Sequence, residues 1–188
     1  LIVFIHGGAW RSNSPDQFSE QASLLFDHAA HPDQLAVAIP AYRLSLAPDW
    51  PQHPAHLDDL TQALTHLSSQ GVTRLHLIGH SCGATLAAQL TLDHRIPPNL
   101  QLQSVAGIEG IYDLPALVND FPSYADHFVN DAFGKDPAQW TKASPAHMIL
   151  SPSACFAPIP WLLIQSMEDE LINLTQTSLF AHALAQAH

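Results

Sequence analysis

Leu75-His76-Leu77-Ile78-Gly79-His80-Ser81-Cys82-Gly83-Ala84-Thr85-Leu86-Ala87-Ala88 is the stretch that decides the fold. A short apolar run, a serine with glycines two residues to either side, and a run of small helix formers predict a strand, a sharp turn and a helix. In such a turn the serine is held in a strained conformation with its hydroxyl exposed, and the two glycines let neighbouring backbone pass close by. Ser81 is therefore the candidate nucleophile. The competing reading of G-x-S-x-G alone is a glycine-rich connection between packed elements, and the flanking strand and helix count against it.

The start of the chain supplies the other half of the chemistry. Leu1-Ile2-Val3-Phe4-Ile5 runs into His6-Gly7-Gly8-Ala9-Trp10. A serine attacking a carbonyl builds negative charge on oxygen, and preorganised backbone N–H groups stabilise that charge by about a hundred- to a thousandfold in rate each. Paired glycines let a loop approach closely enough to donate. In α/β-hydrolases one donor is the residue after the nucleophile, here Cys82, and another comes from an HGGG-type loop, here Gly7 and Gly8. Trp10, beside that loop, is a candidate substrate contact; its alternative role is packing against the core.

Working outward, apolar runs at Leu1–Ile5, Leu35–Ile39, Leu75–Ile78, Val105–Ile108 and Trp161–Ile164 alternate with amphipathic stretches. This βαβα order predicts one α/β domain over residues 1–188: a mostly parallel sheet with helices on both faces. Ser14-Pro15-Asp16-Gln17 fits a helix start with Pro at the first position and a capping-box Gln. Phe18, Ala22 and Leu25 follow at helical spacing, as do Leu57, Leu60, Leu64 and Leu67 farther on. The elbow helix should run to about Leu92, and Leu179, Phe180, Ala183, Leu184 and Ala187 mark a last one. Pro48–Pro54 and Pro145–Pro160 read as loops, with Ser151-Pro152-Ser153-Ala154 the expected mobile connection.

Composition narrows the function. With 47% apolar residues in 188, one sizeable core is expected. Six Lys and Arg are scattered against 17 Asp and Glu, giving net charge −11, so nucleic acid is not an expected partner. Nearly all of the thirteen histidines read as surface residues that shrink the net charge below about pH 6.5. None has metal-ligand spacing, so neither a metal nor a cofactor is expected. No apolar segment reaches the roughly 18 residues a membrane helix needs. Cys82 and Cys155 are the only cysteines; they suggest no disulfide framework and fit a reducing compartment, which makes the cytoplasm the expected location. Oligomeric state is left open, a homodimer included.

In a serine-dependent α/β-hydrolase the carboxylate follows the serine in chain order, just past the end of a later strand. Pro160–Ile164 followed by Gln165-Ser166-Met167-Glu168-Asp169-Glu170 fits. Asp169 is the leading candidate, Glu168 and Glu170 are its neighbours, and Glu109, at the end of the preceding strand, is the outside one; ligands in such sheets bind at the carboxyl ends of the strands.

Together these segments resemble the kynurenine formamidases (arylformamidases) of the α/β-hydrolase fold, the fungal branch in particular, along nearly the whole chain. The resemblance rests on His6-Gly7-Gly8-Ala9-Trp10, Tyr42-Arg43-Leu44-Ser45, Gly79-His80-Ser81-Cys82-Gly83-Ala84-Thr85, Glu109-Gly110-Ile111-Tyr112-Asp113-Leu114, Ser144-Pro145 and Glu168-Asp169-Glu170-Leu171, of which the stretch from Glu109 to Leu114 is the most discriminating. It implies Ser81 as nucleophile, Asp169 as the acid that orients a histidine, and Gly7, Gly8 and Cys82 as oxyanion donors. The implied substrate is a small aromatic formamide, N-formyl-L-kynurenine, cleaved to formate and L-kynurenine. A carboxylesterase with the same constellation is the nearest alternative, and a non-catalytic binding module on this fold is a third. The family pattern also demands a histidine beyond the last helix and a further strand. His182 and His188 lie 13 and 19 positions after Asp169, within or at the end of that helix, and read as surface residues. The chain is thus expected to be a fragment, without its catalytic histidine and without whatever precedes Leu1.

Overall fold

The computed structural model describes residues 1–151 and 159–187. Among the described residues five strands form one parallel sheet: β1 (Ile2–Ile5), β2 (Val37–Ala38), β3 (Arg74–His80), β4 (Gln101–Ile108) and β5 (Trp161–Ile164), in the order β2-β1-β3-β4-β5. Register aligns their carboxyl ends: Ile5 pairs with Gly79, His80 with Ile108, and Ile108 with Ile164. Hence the segments beginning at His6, Ser81, Glu109 and Gln165 all leave the sheet at one edge.

The helices are α1 (Ser19–Asp27), α2 (Ala55–Ser69), α3 (Cys82–Leu92), α4 (Leu114–Asp120), α5 (Asn130–Phe133), α6 (Pro137–Ala143), α7 (Pro145–Met148) and α8 (Leu174–Ala187). A short 3-10 turn, Pro15–Phe18, leads into α1, and its start is closed by the Ser14 N–H donating to Gln17 Oε1 at 3.0 Å. In α2, Leu57, Leu60 and Leu64 form the buried stripe, with Leu67 partly buried behind them. All eleven residues of α3 are buried, so this helix is the centre of the core. Burying its polar residues requires partners: Thr85 Oγ1 donates to the Ile111 carbonyl at 2.6 Å, and Gln89 Nε2 to that of Ala143 at 2.6 Å. No helix among the described residues is long and apolar enough to cross a membrane.

Several expectations need correction. The second strand shrinks from Leu35–Ile39 to two residues because a 3-10 turn occupies Pro32–Gln34 and Pro40 follows. β4 begins four residues earlier than Val105, at Gln101, because ladder hydrogen bonds to β3 do not depend on the polarity of Gln101, Gln103 or Ser104. The Pro145–Pro160 loop instead opens with α7, where Ser144 precedes a proline at the first helical position. The Ser151–Ala154 connection lies, beyond Ser151, outside the described residues, as do Cys155 and His188.

Nor are the histidines all on the surface. His6 and His56 are buried, 1% and 0% exposed. His6 stacks on Tyr42 at 4.5 Å between ring centroids, and Tyr42 donates to the His6 carbonyl at 2.9 Å. His56 Nε2 meets Ser45 Oγ at 3.0 Å, and Ser45 N–H donates to the Trp10 carbonyl at 2.7 Å. Arg43 forms an ion pair with Asp59 at 2.8 Å. Tyr42-Arg43-Leu44-Ser45 is thus a clamp behind the loop that follows β1.

Burial, with a smaller contribution from neighbouring His53, pushes the His56 pKa down to about 4. Its ordinary value is near 6.5. Between those limits the unfolded chain binds the proton and the folded chain does not, so stability falls as pH drops from about 6.5 toward 4, by up to roughly 3 kcal/mol from this group. Urea unfolding of the wild type should therefore give a lower midpoint at pH 4.5 than at pH 7, and His56→Gln should flatten that dependence. A pH slope identical in both proteins would refute the assignment.

Candidate active site

The elbow is built as its glycines demand. Ser81 has φ 53° and ψ −124°, in the left-handed region that a serine rarely occupies. Its N–H donates to the Ile108 carbonyl at 2.8 Å, which fixes the turn on β4. A Cβ at Gly79 would lie 2.3 Å from the Gly83 carbonyl oxygen, and one at Gly83 would lie 2.1 Å from the Ile5 carbonyl oxygen. Neither position admits a side chain.

The loop after β1 wraps over this elbow. Gly8, Ala9 and Trp10 all have positive φ, and the Gly8 carbonyl accepts from the N–H groups of Arg11 and Ser12, both at 3.0 Å. Trp10 N–H donates to Cys82 Sγ at 3.4 Å, tying loop to elbow. A Cβ on Gly7 would sit 3.1 Å from Ser81 Cβ, so the backbone there passes directly beside the serine. Cys82 is fully buried, and burial pushes its thiol pKa up. It is a neutral packing thiol whose backbone N–H, at the first turn of α3, lacks a carbonyl one turn back.

Ser81 and Asp169 line the same cavity, of about 440 Å³, at the carboxyl edge of the sheet. That is the size of a small-molecule site. Gly8, Ala9, His80 and Glu109 share it, while Ile111, Phe128 and Leu171 give it an apolar side. The Asp169 carboxylate is firmly set: Oδ1 accepts from the N–H groups of Leu171 at 2.8 Å and Ile172 at 3.0 Å, and Oδ2 from Gln165 Nε2 at 3.1 Å. Glu168 and Glu170 are exposed and line no part of the cavity. Glu109 does line it, with a left-handed φ of 51°, and its Oε2 lies 3.3 Å from His80 Nε2.

Trp10 does not face the cavity. Its side chain is 0% exposed, edge-on to Phe133 at 4.9 Å and near Phe128, because the positive φ of Trp10 turns the indole inward. The substrate-contact reading is corrected to the packing one. His182 is exposed on α8 beside Gln186, away from the cavity, and no imidazole among the described residues is hydrogen-bonded to Ser81. No group of three or more His, Cys, Asp or Glu among the described residues is placed to hold a metal ion.

Sequence reasoning missed Arg11, Asn13, Tyr124 and His127 in the cavity wall. The last two flank or belong to a π-helical turn, Ala125–Val129, a local widening with no periodicity signal. The Glu109–Leu114 stretch is mainly architectural. A Cβ at Gly107 or Gly110 would collide with Tyr112, whose ring stacks on Phe180 at 4.5 Å. Buried Gln176 Oε1 accepts from Tyr112 and Asp113 N–H groups, both at 2.8 Å. Asp113 Oδ1 caps α4 through Ala116 N–H at 2.9 Å, and Oδ2 meets His147 Nε2 at 2.9 Å.

A parallel sheet with a strained serine elbow after its central strand, an acid past a later strand and a glycine loop over the elbow defines an α/β-hydrolase. Residues 1–184 match the BD-FAE family model. A kynurenine formamidase of Meyerozyma guilliermondii is 37% identical over 97% of this chain and 70% of its own length, and one of Eremothecium gossypii is 36% identical over 100% and 79%. The chain belongs to the BD-FAE family and to the family of the kynurenine formamidases. Among solved structures, esterase B of Lactobacillus rhamnosis superposes with a TM-score of 0.80 at 19% identity, covering 100% of this chain and 61% of that one. Carboxyl esterase 2 of Tuber melanosporum gives 0.76 at 20%, covering 99% and 63%. The chain thus spans less than two thirds of these two structures; at such identities the likeness concerns the fold.

Proposed function

We propose that this single α/β domain hydrolyses N-formyl-L-kynurenine to L-kynurenine and formate, with Ser81 as nucleophile. Ser81 Oγ attacks the formyl carbon and gives its proton to a histidine. Backbone N–H groups of Gly7 or Gly8 and of Cys82 stabilise the oxyanion, and Asp169 fixes the histidine's tautomer and supports the imidazolium. The C–N bond breaks, the aniline nitrogen takes the proton, and water then cleaves the formyl-serine to formate. The histidine comes from outside the described residues, and the cysteine usage supports a cytoplasmic setting.

The observation that carries this reading is that Ser81, strained at its elbow, shares one cavity with Gly8 and with Asp169, whose carboxylate is held by three N–H donors and keeps acceptor capacity on Oδ2. Carboxylester hydrolysis is the second reading, favoured by the esterase neighbours and by the oxyanion that esters and formamides share. The test uses a chain that carries a catalytic histidine. It should hydrolyse N-formyl-L-kynurenine with a higher kcat/KM than p-nitrophenyl acetate, and a fluorophosphonate probe should label wild type but not Ser81→Ala. A reversed preference would favour the esterase; labelling that survives Ser81→Ala would remove Ser81 as nucleophile.

A further inference from the structure

We propose that Glu109 and Arg11 form an amino-acid clamp in the cavity, Glu109 taking the α-ammonium and Arg11 the α-carboxylate of a zwitterionic aryl substrate. The inference rests on the formamidase reading and adds the part of the substrate that the chemistry at Ser81 does not touch. It starts from charges the hydrolytic mechanism leaves over. Two carboxylates line the cavity, and they differ in what they already hold. Asp169 accepts three N–H donors. Glu109 has one side-chain partner, His80 Nε2, at a long 3.3 Å.

A carboxylate only accepts, so His80 Nε2 is the donor in that contact. The opposite nitrogen, Nδ1, is buried without a partner, and a Cβ on Gly7 would lie 2.8 Å from it. His80 is therefore wedged between the Gly7 backbone and Glu109. It steers Glu109 rather than serving Ser81, and the carboxylate keeps free lone pairs facing the cavity. The strained φ of Glu109, with its N–H held by the Ile164 carbonyl at 2.8 Å, keeps that side chain at the strand edge beside the elbow.

Arg11 supplies the opposite charge. One of its guanidinium nitrogens donates to the His127 carbonyl, and no carboxylate among the described residues lies within ion-pair distance of it. A guanidinium with spare N–H groups in a cavity wall suits a carboxylate ligand bidentately. One cation and one under-used anion around a cavity with an apolar side match an α-amino acid carrying an aryl group. A plain acyl ester would leave both charges unmatched.

Calorimetric titration of the protein with three ligands tests this without requiring turnover. They are L-kynurenine, kynuramine (ammonium but no carboxylate) and the deamino acid (carboxylate but no ammonium). L-kynurenine should bind most tightly. Glu109→Gln should weaken L-kynurenine and kynuramine by about 10- to 100-fold, as for loss of a charge-assisted hydrogen bond, and leave the deamino acid unchanged. Arg11→Met should weaken L-kynurenine and the deamino acid and spare kynuramine. Glu109→Asp, which keeps the charge, should retain part of the ammonium selectivity. Absence of L-kynurenine binding, equal affinity for all three ligands, or equal losses across them in either variant would overturn the clamp. Failure of the formamidase reading looks different: no N-formyl anilide is hydrolysed by a histidine-bearing chain, while the charge selectivity of binding persists.

Discussion

Residues 1–188 alone should hydrolyse N-formyl-L-kynurenine about 10⁶-fold more slowly than a longer chain that carries a histidine within reach of Ser81. An unassisted serine hydroxyl is almost entirely protonated near neutral pH, and removing the histidine from a serine-histidine unit costs up to about 10⁶ in kcat. What remains, roughly 10³ to 10⁴ over water, is the share of the oxyanion donors and of binding. Two histidines beside the elbow and its glycine loop are unsuited. His80 Nε2 is committed to Glu109, and His6 Nδ1 meets the Gly7 carbonyl at 2.8 Å, deep under Tyr42 and with its pKa lowered by burial. The measurement is single-turnover hydrolysis by both proteins, with His127→Ala and His182→Ala alongside. Comparable rates in the two proteins, abolished by either substitution, would show that the base lies within the chain.

The parts of this molecule that could be read in its sequence are those where one local rule decides the outcome. Gly79 and Gly83 announce the elbow because only glycine tolerates backbone contacts of 2.3 and 2.1 Å at the Cβ position. The α2 stripe is visible because four leucines repeat at helical spacing. What could not be read depends on partners far along the chain or on elements too short to show a period. α4 to α7 run only four to seven residues each; α4, α6 and α7 are started by Asp113, Asp136 and Ser144 ahead of prolines, and α5 continues from Val129 of the preceding π-helical turn, none of them marked by an amphipathic stripe. His56 is buried because Ser45, 11 residues away, receives it, and nothing near His56 signals that. Trp10 sits beside a site loop yet points into the core, a direction set by three successive positive φ values. Asp169 could be placed by chain order, but its distinction from Glu168 and Glu170 comes from backbone donors at Leu171 and Ile172 that no composition reveals.

Those donors set the second large effect. In a chain that carries the histidine, Asp169→Asn should lower kcat by about 10⁴, as replacing the acid does in other triads. The carboxylate is held by three N–H groups, so its orientation before substrate arrives is already that of an acceptor for an imidazole N–H. An asparagine keeps the shape but turns an amide toward either the Leu171 and Ile172 N–H groups or the imidazole. In the first case two backbone donors lose their acceptor; in the second the imidazole is held in the wrong tautomer. Gln165→Leu removes only the side-chain donor, whose amide also donates to the Ile172 carbonyl at 2.9 Å and whose Oε1 accepts from Thr177 at 2.9 Å. Its loss should be far smaller, within about 100-fold, since the backbone pair still fixes Asp169. Stopped-flow measurement of formyl transfer separates the two, because Asp169→Asn should slow acylation with little change in L-kynurenine affinity. If Glu109→Gln instead cost 10⁴ in kcat on every formanilide and Asp169→Asn were near neutral, the orienting acid would be Glu109, and the amino-acid clamp would fall with the present assignment.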